Sequence, residues 1–148
     1  MNFTRKTLRK KISNEQGQAI VEFAIIFPLF IFIFAGFVYL GMVFHDYLSI
    51  TYFTREAARS SAVGVTKDDI QTDATTNHRL MLTNLYSVNL AKDFSLVVAN
   101  DANLGGDFVT VTVTARKNAG SSLAIIDSFL PDTLSNKLSM RVETKSGS

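Results

Sequence analysis

The longest apolar run in the chain extends from Phe23 to Phe44, and its 22 positions contain no charged residue, His, Asn or Gln. At about 1.5 Å per residue, a helix over this run is roughly 33 Å long, which is enough to cross the hydrocarbon core of a bilayer. A secretory signal peptide has a shorter apolar region of about 7–15 residues and a small-residue cleavage site after it. No such site follows here, so the pattern predicts a transmembrane helix.

The helical pattern continues beyond the apolar run, because apolar and small residues keep recurring at every third or fourth position. Pro28 lies inside this pattern and has no N–H to donate to the carbonyl of Ala24, so we predict a kink there. Gly64 is a typical helix stop. These features predict one helix over residues 18–63, with a membrane span at about 23–44.

A second helical stretch is predicted over about residues 67–91. Thr66, followed three positions later by Asp69, is typical of a helix N-cap. Apolar residues near the end of the stretch share one helical face. The polar residues 72–77 mark the place where this helix would divide into two pieces.

The pattern then changes to strict alternation of apolar and polar residues, which predicts a hairpin of strands at 94–100 and 107–117 and a third strand at 137–145. The crossover 118–136 contains the apolar "LAIIDSFL" and favours either a short helix packed on the sheet or a loop that meets a partner. The predicted fold class is α+β: the long helix continues into a small head, residues 64–148, with a second helix and a three-stranded antiparallel sheet.

Charge predicts the direction of the helix in the membrane. Residues 1–17 carry a net charge of +4 and residues 18–148 a net charge of −2. Because positive flanks stay in the cytoplasm, we expect a single pass through the inner membrane, with the N-terminus cytoplasmic and the head periplasmic or extracellular. The pI of about 9.0 reflects the basic leader. No basic stripe with interleaved aromatic residues follows it, so nucleic acid is not an expected partner.

The residues suited to catalysis are few. The chain has no Cys and only two His, and it lacks the motifs of P-loop, Gly-x-Ser-x-Gly and HExxH proteins. His45, beside Asp46, is expected to form a polar pair at the lipid–water boundary, and His78 is expected to be solvated. We therefore predict no enzyme, no catalytic residue, no cofactor and no metal site.

One loop partly matches the spacing of a calcium site. In "DANLGGD", Asp101 to Asp107, oxygen-bearing side chains alternate with other residues. An EF-hand would require an oxygen ligand at Gly105 and a glutamate at Thr112, and neither is present. A hairpin turn rich in Asn, Asp and Gly accounts for the same residues, and calcium binding stays the open alternative.

A single acid, Glu22, stands at the start of the apolar run in "GQAIVEF". A carboxylate in the first turn of a helix is stabilised by the helix dipole by about 0.3–1 kcal/mol, and near the interface it can reach water. That local explanation is sufficient for the residue taken alone.

The spacing around Glu22 suggests a second explanation. Gly17, four residues and then Glu22-Phe23 follow a basic leader and precede an apolar helix, an arrangement that resembles the processing site of type IV prepilins in its Flp/Tad form. The strings "GQAIVEFAIIFPLF" and "TREAARSSAVG" resemble the TadE-like family (TadE or TadF) of minor pilins and pseudopilins. The resemblance covers residues 17–64 and extends more loosely to the "VTVTV" strand and to "MRVE".

This resemblance implies that residues 1–17 are a leader, cut between Gly17 and Gln18 by a membrane aspartic prepilin peptidase. It also implies that Glu22 neutralises the new α-ammonium of a neighbouring subunit. The expected partners are that peptidase, other pilin subunits, the inner-membrane assembly platform and, before assembly, membrane lipid.

The implied function is a subunit needed for assembly of an adhesive type IVb pilus, and the chain is too long for the short major Flp pilin. TadE and TadF both fit. The alternative is an uncleaved single-pass protein whose head binds a ligand or envelope partner.

Overall fold

The computed structural model describes residues 14–101, 106–120 and 122–143. The chain divides into two compact units, residues 1–38 and 39–148. The α+β fold class predicted from sequence is confirmed, with a long N-terminal helix, further helices and an antiparallel sheet. In chain order the elements are α1 (Asn14–Ala62), α2 (Lys67–Thr76), β1 (Tyr86–Ser87), α3 (Leu90–Asp93), β2 (Phe94–Asp101), β3 (Gly106–Lys117), α4 (Ala124–Asp127) and β4 (Thr133–Arg141).

Helix α1 ends where the sequence predicted. Gly64 adopts a left-handed conformation with φ of 94°, which a glycine adopts without steric penalty. Its N–H donates to the carbonyl of Ser61 at 3.1 Å, and the N–H of Val65 donates to the carbonyl of Ser60 at 3.0 Å. These bonds satisfy carbonyls that the end of a helix otherwise leaves without donors.

The first unit consists of apolar helix surface. Every side chain of residues 20–34 is exposed, including Phe23 at 64% and Ile25 at 70%. Among the described residues, Gly17–Ala62 is the one helix long and apolar enough to cross a membrane, and its most apolar stretch has a mean hydropathy of 2.6 with no part buried. The fold thus leaves this surface to lipid or to other proteins.

The sheet of the second unit is organised around β3, which pairs antiparallel with each of the other three described strands. The predicted hairpin of β2 and β3 is confirmed, with Leu96 opposite Val111. The sheet has four strands rather than the predicted three, because the short β1 pairs with the end of β3.

The third predicted strand lies earlier than expected. Strand β4 spans Thr133–Arg141 rather than 137–145, and its first residue pairs with Arg116 near the end of β3. Since β3 is 12 residues long, the partner strand gains backbone hydrogen bonds by extending along it. Residues 144 and 145 lie outside the described part of the chain.

The predicted second helix over 67–91 is wrong beyond residue 76. Thr66 caps α2 as expected, accepting from the N–H of Asp69 at 3.3 Å. The helix stops at Thr76, and His78 has a left-handed φ of 48°. The polar middle of the stretch provides little apolar surface to bury, so the leucines after it reach the core from non-helical backbone instead.

The core lies between the second half of α1 and one face of the sheet. Ile50, Phe53 and the fully buried Ala58 of α1 belong to the same cluster as Val111 and Val113 of β3. The ring centroids of Phe53 and Phe94 are 5.8 Å apart. The alternation of β3 and the helical period of α1 thus bury residues in the same core.

Candidate functional site

The predicted cleavage site lies in the first turns of α1. The described part of α1, from Asn14, includes both Gly17 and Gln18, so the helix extends ahead of the predicted start at Gln18. A glycine inside a helix lowers its stability by about 1 kcal/mol relative to alanine without ending it. Gly17 is exposed, and a Cβ added there would meet no atom within 4 Å.

Glu22 and Phe23 follow on the same exposed helix. Glu22 lies four residues after Gln18 and so shares its face, one turn along. Among the described residues, none forms an ion pair or a hydrogen bond with the Glu22 carboxylate. Phe23 stacks on Phe27 with ring centroids 5.2 Å apart. The structure thus brings the predicted site residues onto one stretch of surface and leaves the carboxylate available to a second molecule.

Pro28 interrupts the hydrogen bonding of α1 without ending the helix, which runs through it to Ala62. Its missing N–H leaves the carbonyl of Ala24 without the usual helical donor. The predicted kink stays a prediction.

A buried carboxylate was missed by the sequence analysis. Asp46 is completely buried; its Oδ1 accepts from the N–H of Thr83 and its Oδ2 from the Thr83 hydroxyl, both at 2.7 Å. His45 Nδ1 lies 3.3 Å from Oδ1 and its side chain is 60% exposed. The expected His45–Asp46 pair is present, and its position at the lipid–water boundary stays a prediction. Asp46 in addition attaches α1 to the segment that follows α2. No local spacing signals a partner 37 residues away.

Among the described residues, the other candidates for catalysis or metal binding do not come together in one site. His78 is exposed, at the turn after α2. A cavity of about 120 Å³ beside α1 and α2 is lined partly by charged residues, but Arg79 there is already paired with Glu56 at 3.0 Å and with Asp73 at 3.2 Å. In the part of the chain that the structure describes, no three His, Asp or Glu residues approach closely enough to hold a metal. Most of the Asp101–Asp107 loop, residues 102–105, lies outside the described residues.

Residues 17–59 match the family model described as TadE-like protein. This segment of the chain is therefore similar to TadE-like proteins. The match confirms the resemblance predicted from sequence. No curated protein and no solved structure matches the chain.

The TadE-like match begins at Gly17 and includes Glu22, Pro28 and Asp46. It therefore covers the exposed helix of the first unit and most of the helix that packs in the head. The match associates the chain with the Tad pilus system. The sheet lies outside the matched residues.

A second polar cluster holds the crossover between β3 and β4 in the head. Lys117 Nζ lies 3.1 Å from Asp132 Oδ1 and donates to the carbonyl of Asp127 at 3.0 Å. The hydrogen bond to Asp132 is the main cause of a raised Lys117 pKa. The hydrogen bond from Ser122, at 2.7 Å, lowers the pKa of Asp127, and Lys117 lowers it further.

The lowered pKa of Asp127 makes a testable prediction about acid stability. Because the folded pKa lies below the ordinary value of 3.8, this carboxylate stabilises the fold above pH 3.8, and that contribution is lost as the pH falls through the folded pKa. We expect the thermal midpoint of the full chain in detergent micelles, followed by circular dichroism, to fall more steeply below pH 4 than that of Asp127→Asn. Parallel curves for the two proteins would contradict the assignment.

Proposed function

We propose that this chain is a minor pilin or pseudopilin of an Flp/Tad-type adhesive pilus. It is made as a prepilin, inserted in the inner membrane with its N-terminus in the cytoplasm, and cut between Gly17 and Gln18 by a prepilin peptidase. The observation that carries this proposal is the TadE-like match, which begins at the predicted cleavage glycine and runs along α1.

The geometry of Gly17 supports cleavage. A peptidase must draw its substrate backbone into an extended form, so the first turns of α1 have to unwind. Glycine lowers the stability of a helix by about 1 kcal/mol relative to alanine. Unwinding the turn that contains Gly17 is therefore less costly than unwinding the same turn with alanine in its place.

The packing of the head defines the length of helix that lipid can surround. Tyr39, Met42 and Val43 pack against the head core. From residue 39 onward, one face of α1 therefore contacts protein rather than lipid. Residues 18–38 remain, and a helix of that length is roughly 30 Å long, close to the thickness of a bilayer core. On this reading the span begins slightly earlier than predicted, and Glu22 lies about one turn inside it.

A carboxylate inside the span explains how assembly selects its register. Burying a charge without a partner is costly, whereas a paired charge is tolerated. Cleavage creates an α-ammonium on Gln18, and in a bundle of packed subunits this cation is the natural partner for the Glu22 of a neighbour. Before assembly, Glu22 lies near enough to the membrane surface to reach water.

The cleavage step is tested by the mass of the protein isolated from its native host. We expect a chain that begins at Gln18. Gly17→Val should abolish cutting and leave the leader attached, because a branched side chain restricts the backbone and blocks close approach. Gly36→Val is the matched control, since Gly36 also lies in α1 with open space around it, and it should be processed normally. A wild-type protein that still begins at Met1, in cells that process their other prepilins, would favour the uncleaved single-pass alternative.

A further inference from the structure

A groove of about 850 Å³ lies between the second half of α1 and strand β4. The residues that line it include Tyr52, Arg55, Arg59 and Val63 of α1 and Leu138 and Met140 of β4. We call it the α1–β4 groove. All of these residues belong to the second compact unit, residues 39–148, so what the groove binds does not depend on leader cleavage or on the membrane span.

Strand β4 forms one edge of the sheet. It pairs with β3 over all nine of its residues, and none of the described strands pairs with its other side. Over these nine described residues it contains no proline and no bulge, which are two of the features that protect a free edge. Every second residue of such a strand directs its N–H and carbonyl away from its partner. These backbone groups of β4 can therefore bind a further strand.

A strand added to β4 brings alternate side chains into the groove. Leu138 and Met140 alternate with exposed residues along β4 and pack against the core, so they lie on the face of the sheet that α1 covers. Residues directly opposite them on an added strand lie on the same face. The two half-buried side chains thus form an apolar floor for the side chains of that strand.

Strand β4 runs alongside α1 in the same chain direction. The Asn136 side chain donates to the Thr51 hydroxyl at 3.1 Å. Farther along both elements, the N–H of Glu143 donates to the carbonyl of Ala62 at 3.0 Å. A strand added to the edge of β4 therefore also extends along α1.

The helix side of the groove carries two cations. Arg55 and Arg59 are exposed, and among the described residues neither forms an ion pair or a side-chain hydrogen bond. Glu56 also lines the groove, but it pairs with Arg79 at 3.0 Å. The groove is therefore positively charged, and an acidic ligand complements it.

The spacing of the two arginines matches the repeat of a strand. Arg55 and Arg59 are four residues apart on α1, which is about 6 Å along a helix axis. Side chains on one face of a strand repeat every second residue, or about 6.4–6.8 Å. Two carboxylates separated by one residue on an added strand can therefore pair with one arginine each.

We propose that the α1–β4 groove binds an extended segment of another protein, added as a strand to β4, in which two acidic residues are separated by one residue. Main-chain hydrogen bonds to β4 give affinity, and the side chains in the groove give specificity. The sequence has 13 Asp and Glu residues, and no two of them are two positions apart. A second copy of this chain therefore lacks the required segment.

The experiment measures the binding of fluorescently labelled peptides to the full chain in detergent micelles by fluorescence anisotropy. The peptide VTETETV places both glutamates on one face of a strand. Its isomer VTEETTV has the same composition but places them on opposite faces, and VTQTQTV has no charged side chain. We expect VTETETV to bind about two- to fivefold more tightly than VTEETTV and about tenfold more tightly than VTQTQTV, because it alone forms both ion pairs.

Variants of the chain test the two faces of β4 separately. Arg55→Gln and Arg59→Gln should each weaken the binding of VTETETV about two- to fivefold. Lys137→Gln is the matched control, because the exposed Lys137 alternates with Leu138 and lies on the face of β4 away from the groove. It should change binding by less than about twofold. The β4 amides that point away from β3 should exchange their hydrogens more slowly when VTETETV is bound.

The proposal is overturned if VTETETV does not bind, if VTEETTV binds equally well, or if Lys137→Gln weakens binding as much as Arg55→Gln. Binding that leaves the exchange of the β4 amides unchanged would also overturn it, because no strand is then added. A dimer of the full chain in light scattering that protects the same amides without peptide would identify a second copy as the occupant instead. The mass of the mature protein is unaffected by any of these outcomes, so leader cleavage is tested independently.

Discussion

Replacing Asp46 with alanine is expected to destabilise the head by about 2–4 kcal/mol. The substitution leaves the N–H and the hydroxyl of Thr83 without their acceptors, which lie at 2.7 Å in the native protein. It also leaves a space where a completely buried side chain was packed. The measurement is urea unfolding of the full chain in detergent micelles, followed by the circular dichroism of the sheet, with the stability read from the midpoint at unchanged slope.

Two variants separate the role of the carboxylate from that of its surroundings. His45→Ala removes the exposed neighbour and should change stability by less than about 1 kcal/mol, as for other exposed pairs. Asp46→Asn keeps one acceptor oxygen for the Thr83 N–H, so we expect a loss between the other two. If Asp46→Ala unfolds at the same urea concentration as His45→Ala, Asp46 does not hold α1 to the head.

Replacing Glu22 with glutamine is expected to leave membrane insertion intact and to lower incorporation into pili at least about tenfold, given the 3–5 kcal/mol lost when a buried charge loses its partner. Glutamine has nearly the same shape and helix propensity, so the helix itself is unaffected. Under the proposed function, glutamine has no charge to neutralise the α-ammonium that cleavage would create on Gln18 of a neighbouring subunit. The readouts are the subunit in membrane fractions, the subunit in sheared fibres and the number of pili per cell.

Glu56→Gln is the matched control for this charge change. Glu56 lies on the same helix, is 57% exposed and pairs with Arg79 on the head surface at 3.0 Å. Its loss should leave assembly near the wild-type level. The proposed role of Glu22 in assembly would be wrong if the Glu22→Gln subunit were present in sheared fibres at the wild-type amount and pilus numbers were normal. Stabilisation by the helix dipole would then be the explanation for this acid.

The parts of the fold that could be predicted from sequence are those whose pattern is long and local. The run from Phe23 to Phe44 and the periodicity after it predicted α1, and Gly64 predicted its end to within a residue or two. The alternation in β3 predicted its buried face, which the structure confirms at Val109, Val111 and Val113. In each case neighbouring residues along the chain contain the whole signal.

The predictions that failed depended on distant residues. The segment after Thr76 has leucines at helical spacing, but they reach the core from non-helical backbone while Thr83 binds Asp46 on α1. Strand β4 begins where β3 offers it a partner rather than where its own alternation is clearest. The pattern within one segment does not predict its backbone conformation or strand boundary in these cases, because the deciding interactions come from elements far away in the chain.

The sequence by itself determined the membrane-compatible helix and the spacing of Gly17 and Glu22 along it, because neighbouring residues of one helix define both. Only the tertiary structure decided that Asp46 is a buried anchor and that Asn136 of β4 binds Thr51 of α1. Those features depend on hydrogen bonds between segments tens of residues apart, such as the 37 residues between Asp46 and Thr83, and chain folding alone brings such segments together.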